Sequence, residues 1–292
     1  MANTAVTDIV SPQIVAAIVN AKLYYKVPLL QTGYVTDARQ SAVRDGTNTA
    51  VQFPKINSKA VQLGVQANAR DGSQVTADAF EIGFDAETIA SKIISYANDE
   101  KALRMASQMQ DANQWLAEDV MKQMRGNIHA ALIAKGVSGG QAYDDPVNVI
   151  TVGGLKKAIA SLWGEGAFDG GAPLLIAHSN VVFDLESSEE VTKTGLYGFV
   201  NGNGVAMGEV TMVAGIAVMK SDQVSKSGAD YQNIIVKPGA LELWIDTDLR
   251  GDTMRRERST TYVTDYWFDY ATHVAQTNPI GVIKYLVEST LG

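Results

Sequence analysis

Apolar residues return every four positions between Asp111 and Lys135, at Leu116, Val120, Met124, Ile128 and Leu132. Trp115, Met121 and Ala131 widen the stripe, while Glu118, Asp119, Lys122, Gln123, Arg125 and Asn127 fill the positions between. Side chains three and four apart share one face of a helix, so the pattern predicts one long amphipathic helix over 111–135. Asp111, with Gln114 three residues on, suits its start, and Gly136 suits a C-cap. Acidic residues crowd the first half and basic residues the second, as the helix dipole favours. At about 1.5 Å per residue such a helix spans about 37 Å.

Before it the pattern is different. A short helix is predicted from Pro12 to Leu23, capped by Ser11, with Ile14 and Ile18 on its apolar side, Val15 and Val19 beside them, and Pro28 beyond its end. Residues 31–50 are mostly small and polar and predict an arm that finds its partners outside its own fold. Val51 to Pro54 predicts a strand. From Val61 to Ala69 apolar and polar residues alternate, Asp71-Gly72 signals a hairpin, and alternation resumes at Phe80, Ile82, Phe84 and Ala86 and continues to Ile89 and Ile93. The apolar side chains near the tip are too small to form a core, and a two-stranded ribbon is marginal alone. The ribbon is therefore expected to lie on another molecule, with a plain surface hairpin as the alternative.

After the long helix, residues 136–148 (GVSGGQAYDDPVN) predict a connector and a domain boundary. Gly153–Trp163 predicts a second amphipathic helix with Leu155, Ile159 and Leu162 inward. Pro173–Ala177 predicts a buried strand, followed by a short helix that Ser179 caps and that carries Val182, Phe183 and Leu185. Paired strands are expected at Val210–Val213 and Ile216–Met219. Two more are expected at Asn233–Val236 and Ala240–Ile245, separated by Pro238-Gly239, then a long one over Thr260–Gln276 and a last one over Val282–Val287. Helices and strands alternate without regular βαβ spacing, which points to an α+β fold.

Composition narrows the function. The 292 residues are 46% hydrophobic, enough for a sizeable core. A net charge of −8 argues against a general nucleic-acid binder, though an acidic wall around DNA is compatible. The absence of cysteine excludes disulfides, thiol catalysis and zinc–thiolate sites. No apolar run reaches the length of a membrane span and residues 1–10 lack a signal pattern, so assembly in a cytoplasm is expected.

Candidate chemistry is thin. His129, His178 and His273 show no metal-ligand spacing, and His129 is expected at a surface or interface. Ser179 follows a strand as a hydrolase nucleophile would, but Ala177 and Val181 stand where the flanking glycines belong, so it reads as an N-cap. The carboxylate pairs Asp144-Asp145, Glu189-Glu190 and Asp246/Asp248 read as turn residues. Gly198–Gly204 matches no phosphate loop and reads as a loop. Arg255, Arg256 and Arg258 form the one dense basic patch, suited to ion pairs with a neighbouring subunit, to nucleic acid, or to a solvated turn.

The order of elements resembles the major capsid proteins of tailed phages, with the Hong Kong 97-type fold. LLIAHSNVVFDL (174–185), GEVTMVAGIAVMKSD (208–222) and IIVKPGALEL (234–243) look like stretches of that family. The resemblance implies an N-terminal arm over 1–50, an E-loop hairpin and its base over 51–96, and a P domain with its spine helix over 97–149. An A domain over 150–249 and a return to the P domain over 250–292 complete it. It implies a non-catalytic shell subunit without cofactor or metal, forming hexamers and pentamers with copies of itself. Its partners would be a separate scaffolding protein and a portal, and the shell would enclose double-stranded DNA without reading its sequence or binding a membrane. Assembly contacts are expected at Asn68, Arg70, Asp71 and Gly72 of the E-loop tip and at Arg255, Arg256 and Arg258. The chain begins directly at the arm, which resembles members assembled with a separate scaffold or a processed form. Some members crosslink a lysine to an asparagine; Lys55, Lys59, Asn278 and Glu288 do not match that chemistry residue by residue, and no crosslink is expected. An encapsulin-type compartment shell is the alternative within the fold, and a soluble α+β hydrolase the alternative outside it.

Overall fold

The computed structural model describes residues 12–22, 29, 32–46, 49–57, 81–99, 112–164, 171–188, 197–199, 211–213, 215–246, 249–255, 261–275 and 280–291. Helix α1, Pro12–Lys22, buries Val15, Ala16 and Val19, while Ile14 is 52% exposed. The expected apolar side is thus rotated by one residue. The helix packs on the long helix and on a strand at 250–255.

Residues 32–46 do not behave as a free arm. Strand β1, Val35–Asp37, pairs in parallel with Leu241–Ile245, and Ala38 N–H donates to Leu243 O at 2.9 Å. Val35, Ala38 and Ala42 are buried, so these small side chains are the ones that fit against a sheet. Strands β2 (Val43–Arg44), β3 (Ala50–Asn57) and β4 (Glu81–Thr88) form a three-stranded antiparallel sheet, the root of the expected ribbon. Residues 58–80, which hold the expected hairpin turn, lie outside the described residues. At Ile89 the chain changes sheets and continues as β5, Ala90–Asp99.

The long helix, α2, runs from Ala112 to Gly139. Val120, Met124, Ile128 and Leu132 are buried as the four-residue repeat requires, with Ala117, Met121 and Ile133 beside them. Trp115 was expected to widen this stripe but is 62% exposed. Gly136 is not the C-cap. The helix continues through it, and a Cβ placed there would lie 2.8 Å from Ile234 Cδ1. A Cβ on Gly139 would lie 2.9 Å from Val274 Cγ2, and one on Gly140 2.7 Å from Gly136 O and 3.1 Å from Lys284 N. The glycines let the helix end approach two sheets at van der Waals distance.

The expected connector is also structured. Strand β6, Gln141–Val149, runs parallel to the last strand, with Ile283 opposite Gln141 and Leu286 opposite Asp144. Tyr143 stacks on Tyr285 at 6.0 Å, and buried Asp145 accepts a hydrogen bond from Tyr285 Oη. The register shifts between Leu286 and Glu288, near Pro146, and β6 is an edge strand, where a missing N–H is tolerated. Helix α3, Val152–Trp163, starts at Thr151, whose Oγ1 accepts from Gly154 N–H at 2.9 Å, and buries Leu155, Ala158, Ile159 and Trp163. Strand β7, Leu174–Ala177, is wholly buried. In helix α4, Ser179–Ser187, the N-cap is His178, not Ser179: His178 Nδ1 accepts from Asn180 N–H. Val181, Val182 and Leu185 face the core and Phe183 is 52% exposed.

Strands β8 (Tyr197–Phe199), β9 (Thr211–Val213), β10 (Ile216–Lys220), β11 (Lys226–Ser227) and β12 (Asp230–Val236) complete the sheet that β16 (Val282–Glu288) joins. Its order is β6-β16-β12-β7-β10-β9-β8, with β11 paired to β12. Gly198 and Phe199, expected in a loop, belong to β8. Strand β13, Leu241–Ile245, lies only a turn beyond β12 in sequence but in a different sheet, with β1, β5, β14 (Arg250–Arg255) and β15 (Thr261–Val274). Pro238-Gly239 is the corner between the two, with Gly239 at φ +73°. The main core is continuous across both sheets and α2.

His129, expected at a surface or interface, lies half-buried on α2, with Nε2 2.9 Å from Ser221 Oγ. Burial, and to a lesser extent Arg125, lowers its pKa to about 4. Unfolded, it titrates near 6.5, so the unfolded chain binds the extra proton between these values. Stability therefore falls as the pH drops from about 6.5 toward 4, by about 2 kcal/mol at pH 5 relative to neutrality. Denaturant unfolding of isolated subunits should show this loss, and His129→Gln should remove that share of it. Two glycines give opposite signs in the same assay. A Cβ added at Gly126 would meet nothing within 4 Å, so Gly126→Ala should stabilise by about 1 kcal/mol. Gly140→Ala meets backbone and should destabilise by about 1–3 kcal/mol.

Candidate assembly interface

Strand β15 carries two different faces. Thr264, Tyr266, Phe268 and Tyr270 are buried, whereas Val263, Asp265, Trp267 and Asp269 between them are half-buried and turned away from the core. Its partners continue the division, because residues paired across strands share a face. Ile94 opposes Tyr266 on the inner face, where Tyr96 Oη donates to Asp119 of α2 at 2.6 Å. Burial and that carboxylate both raise the Tyr96 pKa, so the phenol stays protonated and holds β5 to the helix.

The outer face reads in rows. Arg250, Trp267 and Ile93 form one, Asp252, Asp265 and Ser95 the next, and Met254, Val263 and Ala97 a third. Ile93 is 67% and Met254 61% exposed. Trp267 and Ile93, with Arg250 at the end of their row, and Met254, Val263 and Ala97 thus flank an acidic row. Asp252 and Asp265 stand directly opposite each other, an unfavourable arrangement for like charges, and Asp265 Oδ1 is buried without a hydrogen-bond partner among the described residues. A long strand was expected here from the sequence, but not which of its faces meets the core.

The ribbon root repeats the theme. Val51 and Phe53 of β3 and Asp85 and Glu87 of β4 turn toward the body, while Phe84, Ala86 and Thr88 turn outward, with Phe84 56% exposed. The apolar set of β4 is therefore uncovered within the subunit. Of the residues singled out from the sequence, Asn68, Arg70, Asp71, Gly72, Arg256 and Arg258 lie outside the described residues. Arg255 ends β14, with its backbone opposite Tyr262.

The catalytic candidates come together only in part: His178 Nε2 lies 4.0 Å from Asp222 Oδ1, the oxygen that Ser179 also reaches. Ser179 Oγ donates to Asp222 Oδ1 at 2.5 Å, while His178 Nδ1 serves as the helix cap and its ring stacks on Tyr231 at 4.5 Å. No histidine is hydrogen-bonded to Ser179 Oγ as a base among the described residues. Asp145 is held by Tyr285, Asp246 accepts from Arg44, and Asp248, Glu189 and Glu190 lie outside the described residues. Among the described residues, no group of three or more acidic or histidine side chains could hold a metal ion, and no helix is long and apolar enough to cross a membrane.

No family model matches the sequence, and no curated protein does. Solved structures do. The capsid of Cyanophage P-SCSP1u is 16% identical, with 88% of this chain and 87% of that chain covered at a TM-score of 0.55. The capsid of an empty GTA particle is 11% identical, with 90% of each chain covered at a TM-score of 0.58. The holo-SrpI encapsulin complex from Synechococcus elongatus is 12% identical, with 81% of each chain covered at a TM-score of 0.54. The likeness extends over 81–90% of the chain, and it is a likeness of fold: the chain has the α+β capsid fold of the Hong Kong 97 type.

Proposed function

We propose that this chain is a major capsid protein whose copies assemble into the icosahedral shell around a phage genome. The observation that carries the reading is an apolar surface left uncovered by a subunit whose core is already complete. Phe84 on the ribbon and Ile93 and Met254 on the outer sheet face are each more than half exposed and belong to neither buried cluster. Large apolar side chains left exposed on sheet faces suit protein contacts. The shared fold with phage capsids supports the same reading.

Assembly then works by covering these faces. Burying the apolar side chains of the two flanking rows releases water, and a donor from the neighbouring copy answers the unmet Asp265 oxygen. Each contact is modest, and closed symmetry repeats it around hexamers and pentamers until the sum holds a shell. With a net charge of −8, the wall encloses double-stranded DNA without gripping it, and no sequence readout is built in. A separate scaffolding protein and a portal would set size and entry, and the finished location is the virion, after assembly in the host cytoplasm. The domains follow the sequence division, except that residues 32–46 belong with the body they pair to. An encapsulin-type shell is favoured by the 12% identical likeness to SrpI; co-purified DNA supports the capsid reading and a co-purified cargo enzyme the encapsulin one.

Electron microscopy and size-exclusion of the purified chain test the reading: shells or capsomers are expected, and a small monodisperse oligomer would oppose it. Ile93→Lys and Met254→Lys should leave subunit stability within about 0.5 kcal/mol, as exposed substitutions do, yet prevent shell formation. Removing residues 61–75 should likewise leave soluble subunits that do not close into shells. Normal shells from all three variants would remove the interface.

A further inference from the structure

The ribbon root does not share the main core. It sits on a separate apolar cluster of six buried residues: Ala38, Ala42, Val51, Phe53, Trp244 and Ala271. Only Phe53 and Trp244 in it are large, and apolar contact has no direction of its own. So small a seat cannot by itself fix the angle at which a long ribbon leaves the body. Resting on the capsid reading, we propose that two ionic clasps on either side of this seat position the ribbon for its contact with a neighbouring copy.

The first clasp centres on Glu87 of β4. Its Oε2 lies 2.6 Å from Lys135 Nζ on α2, and its Oε1 3.0 Å from His273 Nδ1 on β15. The His273 ring stacks on Phe53 at 4.8 Å, so the clasp also closes one side of the seat. Asp85, two residues earlier on the same face, lies 3.8 Å from His273 Nε2 and 3.6 Å from Lys55 Nζ. One ribbon strand is thereby tied to both the long helix and the long strand of the body.

The second clasp is Arg44 of β2. Its Nη2 donates to Asp246 Oδ2 at 2.8 Å and to Asp269 Oδ2 at 3.3 Å, and its guanidinium lies 5.1 Å above the Trp244 ring. Asp269 is oriented in turn by Ser91 Oγ, which donates to its other oxygen at 2.5 Å. Charge-assisted hydrogen bonds are directional, and two at separate points define an angle where one would permit rotation. Both clasps flank Ile89, where the chain passes from the ribbon sheet to the body sheet. The pairs are partly buried, with side-chain exposures of 21–34%, so solvent ions screen them incompletely.

Hydrogen exchange on unassembled subunits tests the clasps. Lys135→Met and Arg44→Met should each speed exchange about tenfold in the amides of 50–57 and 81–88, the effect of an unpaired charge at a local opening, and leave those of 230–236 and 282–288 unchanged. Lys135→Arg keeps the charge and should keep parental exchange. Lys135→Met combined with Glu87→Gln should loosen the ribbon no more than Lys135→Met alone. In assembly, the loosened variants should yield fewer closed shells and Lys135→Arg a parental yield. Parental exchange at the ribbon root in Lys135→Met and Arg44→Met would overturn the clasps, as would loosened ribbons with a parental shell yield. A parent chain that forms no shells would instead count against the capsid reading, while the exchange comparison would still decide whether the clasps hold the ribbon.

Discussion

Everything in this subunit depends on how closely the end of the long helix approaches the two sheets. Gly136 lies against Ile234 of one sheet and Gly139 against Val274 of the other, with Gly140 against the backbone of Lys284. At those separations no side chain fits, so the helix end becomes the point where both sheets and the helix share one core. Pro238-Gly239 then carries the chain from one sheet to the other in a single corner, and His129 ties the same helix to Ser221. The helix is long because it spans the body from its contact with α1 to this junction.

With the core complete, the surfaces that remain apolar require another explanation. Ile93, Met254 and Phe84 are each more than half exposed, outside both buried apolar clusters. The acidic row of the outer sheet face adds a cost that the isolated subunit bears and a neighbour can remove. Exposed apolar side chains, an unmet acceptor and a ribbon whose apolar side faces outward are the features on which the proposed assembly rests.

Much of the fold was legible because period carries burial. The four-residue repeat predicts the long helix, and the last two strands were expected close to the bounds of β15 and β16, whereas alternation from Phe80 to Ile93 marked one return strand where the structure has two, β4 and β5. What escaped was whatever depends on contact partners. Gly136 looks like a cap in sequence and is a close approach in space. Residues 141–149 look like a connector because Asp, Gly and Pro are turn formers, yet Tyr143 and Asp145 find Tyr285 and make an edge strand. His178 caps α4 in place of Ser179, whose hydroxyl reaches Asp222 forty-three residues away. The interface was legible only in part: a long strand was expected at β15, but choosing its outer face requires knowing where α2 lies. The expected contact residues at the ribbon tip and at 256–258 fall outside the described residues, so the outer sheet face and the ribbon root carry the proposal instead.

The proposed assembly is tested most directly by oxidative footprinting of Met254 and Phe84 in free subunits and in purified particles of the same chain. Strong modification in the free subunit and protection in the particle is the expected result. Equal modification of both residues in closed particles would contradict the proposal that these faces are what assembly covers.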